Sequence, residues 1–98
     1  MAELKAMTQG EVFEGLERLN GWALERQRAL VKTYEFADFM GPVAFVNRIA
    51  EEAERQNHHP DLEVGWGRLT VRLSTHSVGG VTVADFALAE AIEERFER

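Results

Sequence analysis

The sequence predicts an α+β fold: a four-stranded antiparallel sheet with three helices on one face, in the order α-β-β-α-β-β-α. Three observations lead there. Residues 62–73 hold two runs that alternate apolar and polar side chains across a short link containing Gly67. Residues 43–53 carry apolar side chains at helical spacing. Two pairs, Thr8 with Glu11 and Thr82 with Asp85, have the spacing of helix-capping signals. At 98 residues the chain is expected to be one domain, residues 1–98, with one thin core.

After the Thr8/Glu11 pair, Val12, Leu16 and Leu19 follow a roughly helical period until Asn20-Gly21 stops it. Trp22, Ala23 and Leu24 begin an extended segment, Gln27-Arg28 turns the chain, and residues 29–36, ALVKTYEF, read as a strand. Asp38 is placed to cap a helix running to about residue 56. That helix has Val43, Val46, Ile49, Ala50 and Ala53 inside and Asn47, Arg48, Glu51, Glu52 and Arg55 outside. Pro42 falls in its first turn, where a missing N–H costs little. Pro60 ends the region. Leu62, Val64 and Trp66 then alternate along one strand and Leu69, Val71 and Leu73 along its partner. A link of Gly67-Arg68, glycine first, suits a type II′ hairpin. Residues 77–80, SVGG, form a loop. Phe86, Ala89, Ile92 and Phe96 mark a last helix, with Glu90, Glu93, Glu94 and Glu97 outside.

Composition excludes several classes of function. There is no cysteine, so disulfides and thiolate metal sites are absent. Net charge is −6 without a basic cluster, which argues against direct nucleic-acid binding. The N-terminal residues lack a signal-peptide layout, and no apolar run is long enough to cross a bilayer. A cytoplasmic protein without a membrane partner is the expectation.

All three histidines, His58, His59 and His76, fall between residues 57 and 76. Residues 59 and 76 lie about equally far from the expected hairpin link. Antiparallel pairing therefore gathers the three imidazoles at one end of the sheet. Neighbours on an extended backbone point to opposite sides, so His58 and His59 have different roles. Imidazole gives and takes protons near neutral pH, which makes it the group best suited to chemistry here. Glu54, one helical turn before His58, is near enough to orient an imidazole. Asp85 either does the same for His76 or only caps the last helix. A three-histidine zinc site is a weaker reading, because adjacent histidines rarely reach one metal. Trp66 and Trp22 read as packing residues of the core or its edge. No nucleophile elbow, phosphate-binding glycine loop or HExxH motif is present.

Glu54, His58-His59-Pro60, Trp66, His76 and Asp85 together resemble the signature of the pterin-4a-carbinolamine dehydratase family, also called the dimerisation cofactor of a homeodomain transcription factor. Residues 73–89, LSTHSVGGVTVADFALA, continue the likeness, as do Gly21-Trp22, VKTYEFADF (31–39) and Phe45 upstream. Leu62 stands where some relatives carry an aromatic residue. The resemblance implies the same four strands and three helices. It implies dehydration of 4a-hydroxytetrahydropterin to quinonoid dihydropterin, which recycles pterin for aromatic amino-acid hydroxylases. No metal or redox cofactor is required. Implied catalytic residues are His58, His76, His59 and Glu54, with His58 and His76 the acid/base pair and His59 positioning the ligand. Pro60, Thr75, Ser77 and Val78 join the histidines in binding substrate, the last loop through its backbone. Asp85 and Trp66 are supporting residues. A homodimer or homotetramer and a link to a hydroxylase pathway are also implied. The alternative is a non-catalytic interaction or assembly protein on the same scaffold.

Overall fold

A computed structural model describes residues 4–96. Glu97, assigned to the outer face of the last helix, lies outside the described residues. Helix α1 (Gln9–Leu16) starts at a complete capping box. Thr8 Oγ1 accepts from the Glu11 N–H at 3.1 Å, and the Glu11 carboxylate accepts from the Thr8 N–H at 2.8 Å. Strands β1 (Ala23–Glu25) and β2 (Ala29–Glu35) form the first hairpin. Helix α2 (Met40–Gln56) follows. Asp38 acts at its start as expected, its Oδ1 accepting from the Gly41 N–H at 2.8 Å. Strands β3 (Asp61–Gly65) and β4 (Arg68–Leu73) form the second hairpin. A 3₁₀ turn (His76–Val78) leads to helix α3 (Val83–Arg95). All pairings are antiparallel, in the order β1-β2-β4-β3.

The central strands bury one face. Leu30 and Tyr34 of β2 lie beside Leu73 and Leu69 of β4. Phe45 and Ile49 of α2 and Leu88 and Ile92 of α3 close over them. The other face is polar: Thr33 and Thr70 share a 2.9 Å hydrogen bond, and Arg72 bonds Glu25 and Glu63, each at 2.8 Å. That division places the helices on a single side, as alternation along each strand requires. Helix α1 packs close to α3 because Gly15 has no side chain; a Cβ there would lie 2.6 Å from the Phe86 ring.

Several details differ from the sequence reading. The second hairpin turns at Trp66-Gly67, one position early, and glycine is second in the link, with φ +73°. A type II′ turn needs glycine first. The observed and expected registers differ by two positions, so both keep Leu62, Val64, Leu69 and Val71 on one face. Alternation could not separate them; the left-handed residue did. Trp66 therefore leaves the strand and sits 72% exposed in the turn.

On α2, Ala50 is exposed, whereas Glu52 is buried and takes bonds from Arg55 at 2.8 Å and Arg95 at 3.1 Å. On α3, Glu90 and Glu94 face solvent but Glu93 does not. Its Oε2 accepts from Lys32 Nζ at 2.7 Å, from Trp22 Nε1 at 3.2 Å and from the Tyr34 hydroxyl. Burial opposes the charge on Glu93, but the three donors outweigh it and hold the carboxyl below its usual range. The same contact acts oppositely on Tyr34: burial first, then the adjacent carboxylate, push its hydroxyl well above the ordinary value.

Candidate active site

Three segments meet at the end of the sheet away from the Trp66-Gly67 turn. The first is the end of α2. Asn57 adopts the left-handed conformation, φ 51° and ψ 44°, and ends the helix there. The His58 N–H reaches the Ala53 carbonyl at 3.1 Å and the Asn57 N–H reaches that of Glu54 at 3.3 Å. This is the Schellman pattern with asparagine in the usual place of glycine. Because the chain reverses at Asn57, the i,i+4 relation between Glu54 and His58 is broken. Glu54 bonds His59 instead, Oε2 to Nε2 at 2.7 Å, and both side chains are exposed. The expected Glu54–His58 pairing is thus corrected.

His58 turns inward, with 14% of its side chain exposed, and its Nε2 lies 2.6 Å from Asp85 Oδ1. Asp85 is fully buried. Its other oxygen, Oδ2, accepts from the Thr82 N–H at 2.9 Å and from the Thr75 hydroxyl at 2.8 Å. Neither reading of Asp85 stands as expected. It completes the α3 capping box and it holds an imidazole, but that imidazole belongs to His58 and not to His76.

The third segment follows β4. The Thr75 N–H bonds the Gly80 carbonyl at 2.8 Å, closing an isolated bridge, and the Val78 N–H bonds the Thr75 carbonyl at 3.1 Å. Those two amides are consumed by the turn. The leading amides of the 3₁₀ turn, those of His76 and Ser77, have no carbonyl ahead of them within it. The His76 ring is exposed at the rim, and among the described residues no hydrogen bond to it is found.

Between these segments lies a cleft of about 440 Å³. His58, His59, Thr75, His76 and Ser77 line it, so the gathering of the histidines at one end is realised. Asn57, Ser74 and Leu4 also line it and were not foreseen. Asn57 could have been found as the residue between a long helix and the histidine pair. Leu4 carries no such signal, since only the path of the chain ahead of α1 brings it there. Pro60 and Val78 adjoin the cleft in sequence without lining it, and Trp66 lies at the opposite end of the sheet. Among the described residues no three His, Asp or Glu side chains converge as a metal site. None of the described helices is long and apolar enough to cross a membrane.

The site is thus a solvent-open cleft on a small α+β scaffold, lined by three imidazoles, two of them hydrogen-bonded to carboxylates. The chain belongs to the pterin 4 alpha carbinolamine dehydratase family, whose model matches residues 5–95. A relative from Thermosynechococcus vestitus, provisionally named a pterin-4-alpha-carbinolamine dehydratase, is 44% identical over 88% of this chain and 90% of its own. One of the same provisional name from Chloroflexus aggregans is 40% identical over 90% of this chain and 94% of its own. The crystal structure of a transcriptional coactivator/pterin dehydratase from Brucella melitensis superposes with a TM-score of 0.88 at 33% identity. That match covers 93% of this chain and 98% of the other. A pterin dehydratase-like protein described as a RuBisCO assembly factor shares the fold at a TM-score of 0.64 and 20% identity, over 78% of this chain and 89% of its own.

Proposed function

We propose that this protein dehydrates 4a-hydroxytetrahydropterin to quinonoid dihydropterin and water, by general acid/base catalysis from its histidines. The reaction breaks the C4a–O bond and removes the proton from N5, and the N5 electron pair forms the new C=N bond. The leaving oxygen takes a proton, so water departs instead of hydroxide. One group must give a proton and another must accept one, and the net proton count on the protein is unchanged.

The observation that carries the reading is the bond between His58 and the buried Asp85 at the cleft wall. A carboxylate accepting from Nε2–H fixes the tautomer and leaves the Nδ1 lone pair as a base. His58 is assigned the removal of the N5 proton. His76, at the exposed rim, is assigned the delivery of a proton to the leaving oxygen and recovers one from solvent. His59, held by Glu54, positions the ring, and the His76 and Ser77 amides supply donors to its carbonyl edge. Such assistance is worth roughly 10²–10⁴-fold in rate. This chemistry calls on no metal or redox cofactor. The wider role proposed is pterin recycling for aromatic amino-acid hydroxylases, in the cytoplasm, by a homodimer or homotetramer.

Purified protein is expected to speed loss of the 4a-hydroxy pterin well above the buffer rate. His58→Ala and His76→Ala are each expected to lose most of that acceleration. Wild-type rates equal to buffer would remove the proposal. The assembly-protein alternative expects partner capture that is indifferent to these substitutions, and a buried carboxylate aligned on one imidazole has no use in that role.

A further inference from the structure

The sequence reading assigns Thr75 only a backbone role and Thr82 only a helix cap. Their hydroxyls do more. Thr75 Oγ1 donates to Asp85 Oδ2 at 2.8 Å. Having given its one proton there, it must accept across its 2.8 Å contact with Thr82 Oγ1. The Thr82 hydroxyl is therefore the donor in that contact, and its own oxygen accepts from the Ala84 N–H at 3.2 Å. Thr75, Thr82 and Asp85 are all buried. An aligned chain thus runs from Thr82 through Thr75 into Asp85 Oδ2, and the other carboxylate oxygen meets His58 Nε2 at 2.6 Å. Inside protein, hydrogen bonds in such a chain polarise one another.

We propose that the hydroxyls of Thr75 and Thr82 are positioning residues that act on His58 through Asp85. The inference rests on the assignment of His58 as the base. The chain fixes the rotamer of Asp85 so that one oxygen serves α3 and the other faces the imidazole. It also shares the negative charge of the carboxylate, which limits how tightly the His58 imidazolium is held. The other titratable groups that line the cleft or bond its histidines are His59 and Glu54, from α2 and its exit, and His76, from the turn after β4. None of these bonds Asp85.

The test uses Thr75→Val and Thr82→Val, which keep side-chain shape and delete the hydroxyl, with the serine variants as rescue. Thr8→Val is the control, since Thr8 caps α1 in the same way but has no route to His58. Each valine variant at 75 or 82 is expected to lower kcat about fivefold, the equivalent of one net hydrogen bond. Thr75→Val is also expected to move the acid limb of kcat/KM to higher pH, because a less shared carboxylate holds the His58 proton more tightly. Serine restores both values, and Thr8→Val lowers thermal stability while leaving the pH profile unchanged. Wild-type kcat and profile in the two valine variants would overturn the inference. Should the wild-type protein show no dehydration, the proposed function falls, and the chain is read by NMR titration of the His58 ring. A raised midpoint in Thr75→Val supports the relay, and an unmoved one ends it.

Discussion

At the scale of single residues, the site separates two kinds of imidazole. His58 is enclosed and held by a carboxylate that is itself held by two further donors. His59 is paired in the open, where a carboxylate partner is worth little. Asp85→Asn is expected to lower kcat about 100-fold or more, because the amide no longer dictates which ring nitrogen carries the proton. The same change costs the α3 cap about 1 kcal/mol. Steady-state kinetics and a melting curve separate the two effects. In the proposed reaction His59 positions the ring and moves no proton, so His59→Ala is expected to raise KM several-fold and leave kcat within about a factor of three. The sequence could show that three histidines share one end of the sheet, because that follows from hairpin pairing alone. It could not show who holds them. Helical spacing pairs Glu54 with His58, but the left-handed Asn57 between them gives Glu54 to His59.

At the scale of elements, the ends of helices were legible and the middles less so. Both Thr-x-x-acid pairs form complete capping boxes, since such signals act over four residues and need no tertiary context. Two registers satisfy the same apolar pattern, so alternation alone does not place the turn at Trp66-Gly67. Asn57 decides the direction in which His58 leaves α2. Asn57→Ala is expected to destabilise the protein by about 1 kcal/mol, since alanine resists the left-handed conformation. Asn57→Gly is expected to melt within a degree or two of wild type. In Asn57→Ala the kcat should fall further than the melting temperature alone explains, because the strain falls on the residue before His58.

At the scale of the whole molecule, the core follows from alternation, but the polar centre on Glu93 does not. The helical period sets Glu93, four after Ala89 and three before Phe96, nearer the apolar face than Glu90 or Glu94, but it does not name its partners. Its partners Trp22, Lys32 and Tyr34 come from 59 to 71 positions away, which no local pattern can anticipate. Because the folded carboxyl titrates below its unfolded value, Glu93 stabilises the protein above the ordinary glutamate range. That contribution is lost as pH falls through its lowered folded value. Acid unfolding of Glu93→Gln should therefore show a shallower slope below about pH 4.5 than wild type, with lower stability at neutral pH. Phe45 is fully buried, with its ring centroid 5.0 Å from that of Tyr34 and 5.3 Å from that of Phe96. Phe45→Ala is expected to cost about 3–5 kcal/mol by chemical denaturation, which a protein this small can scarcely absorb.

Asp85 belongs at once to the start of α3 and to the imidazole beside the cleft. A molecule in which that helix has not formed cannot present an aligned His58, so in the proposed reaction turnover counts only chains that have finished folding. Ageing or heat-stressed samples would then lose activity in step with their helical signal, without a dead but fully folded population.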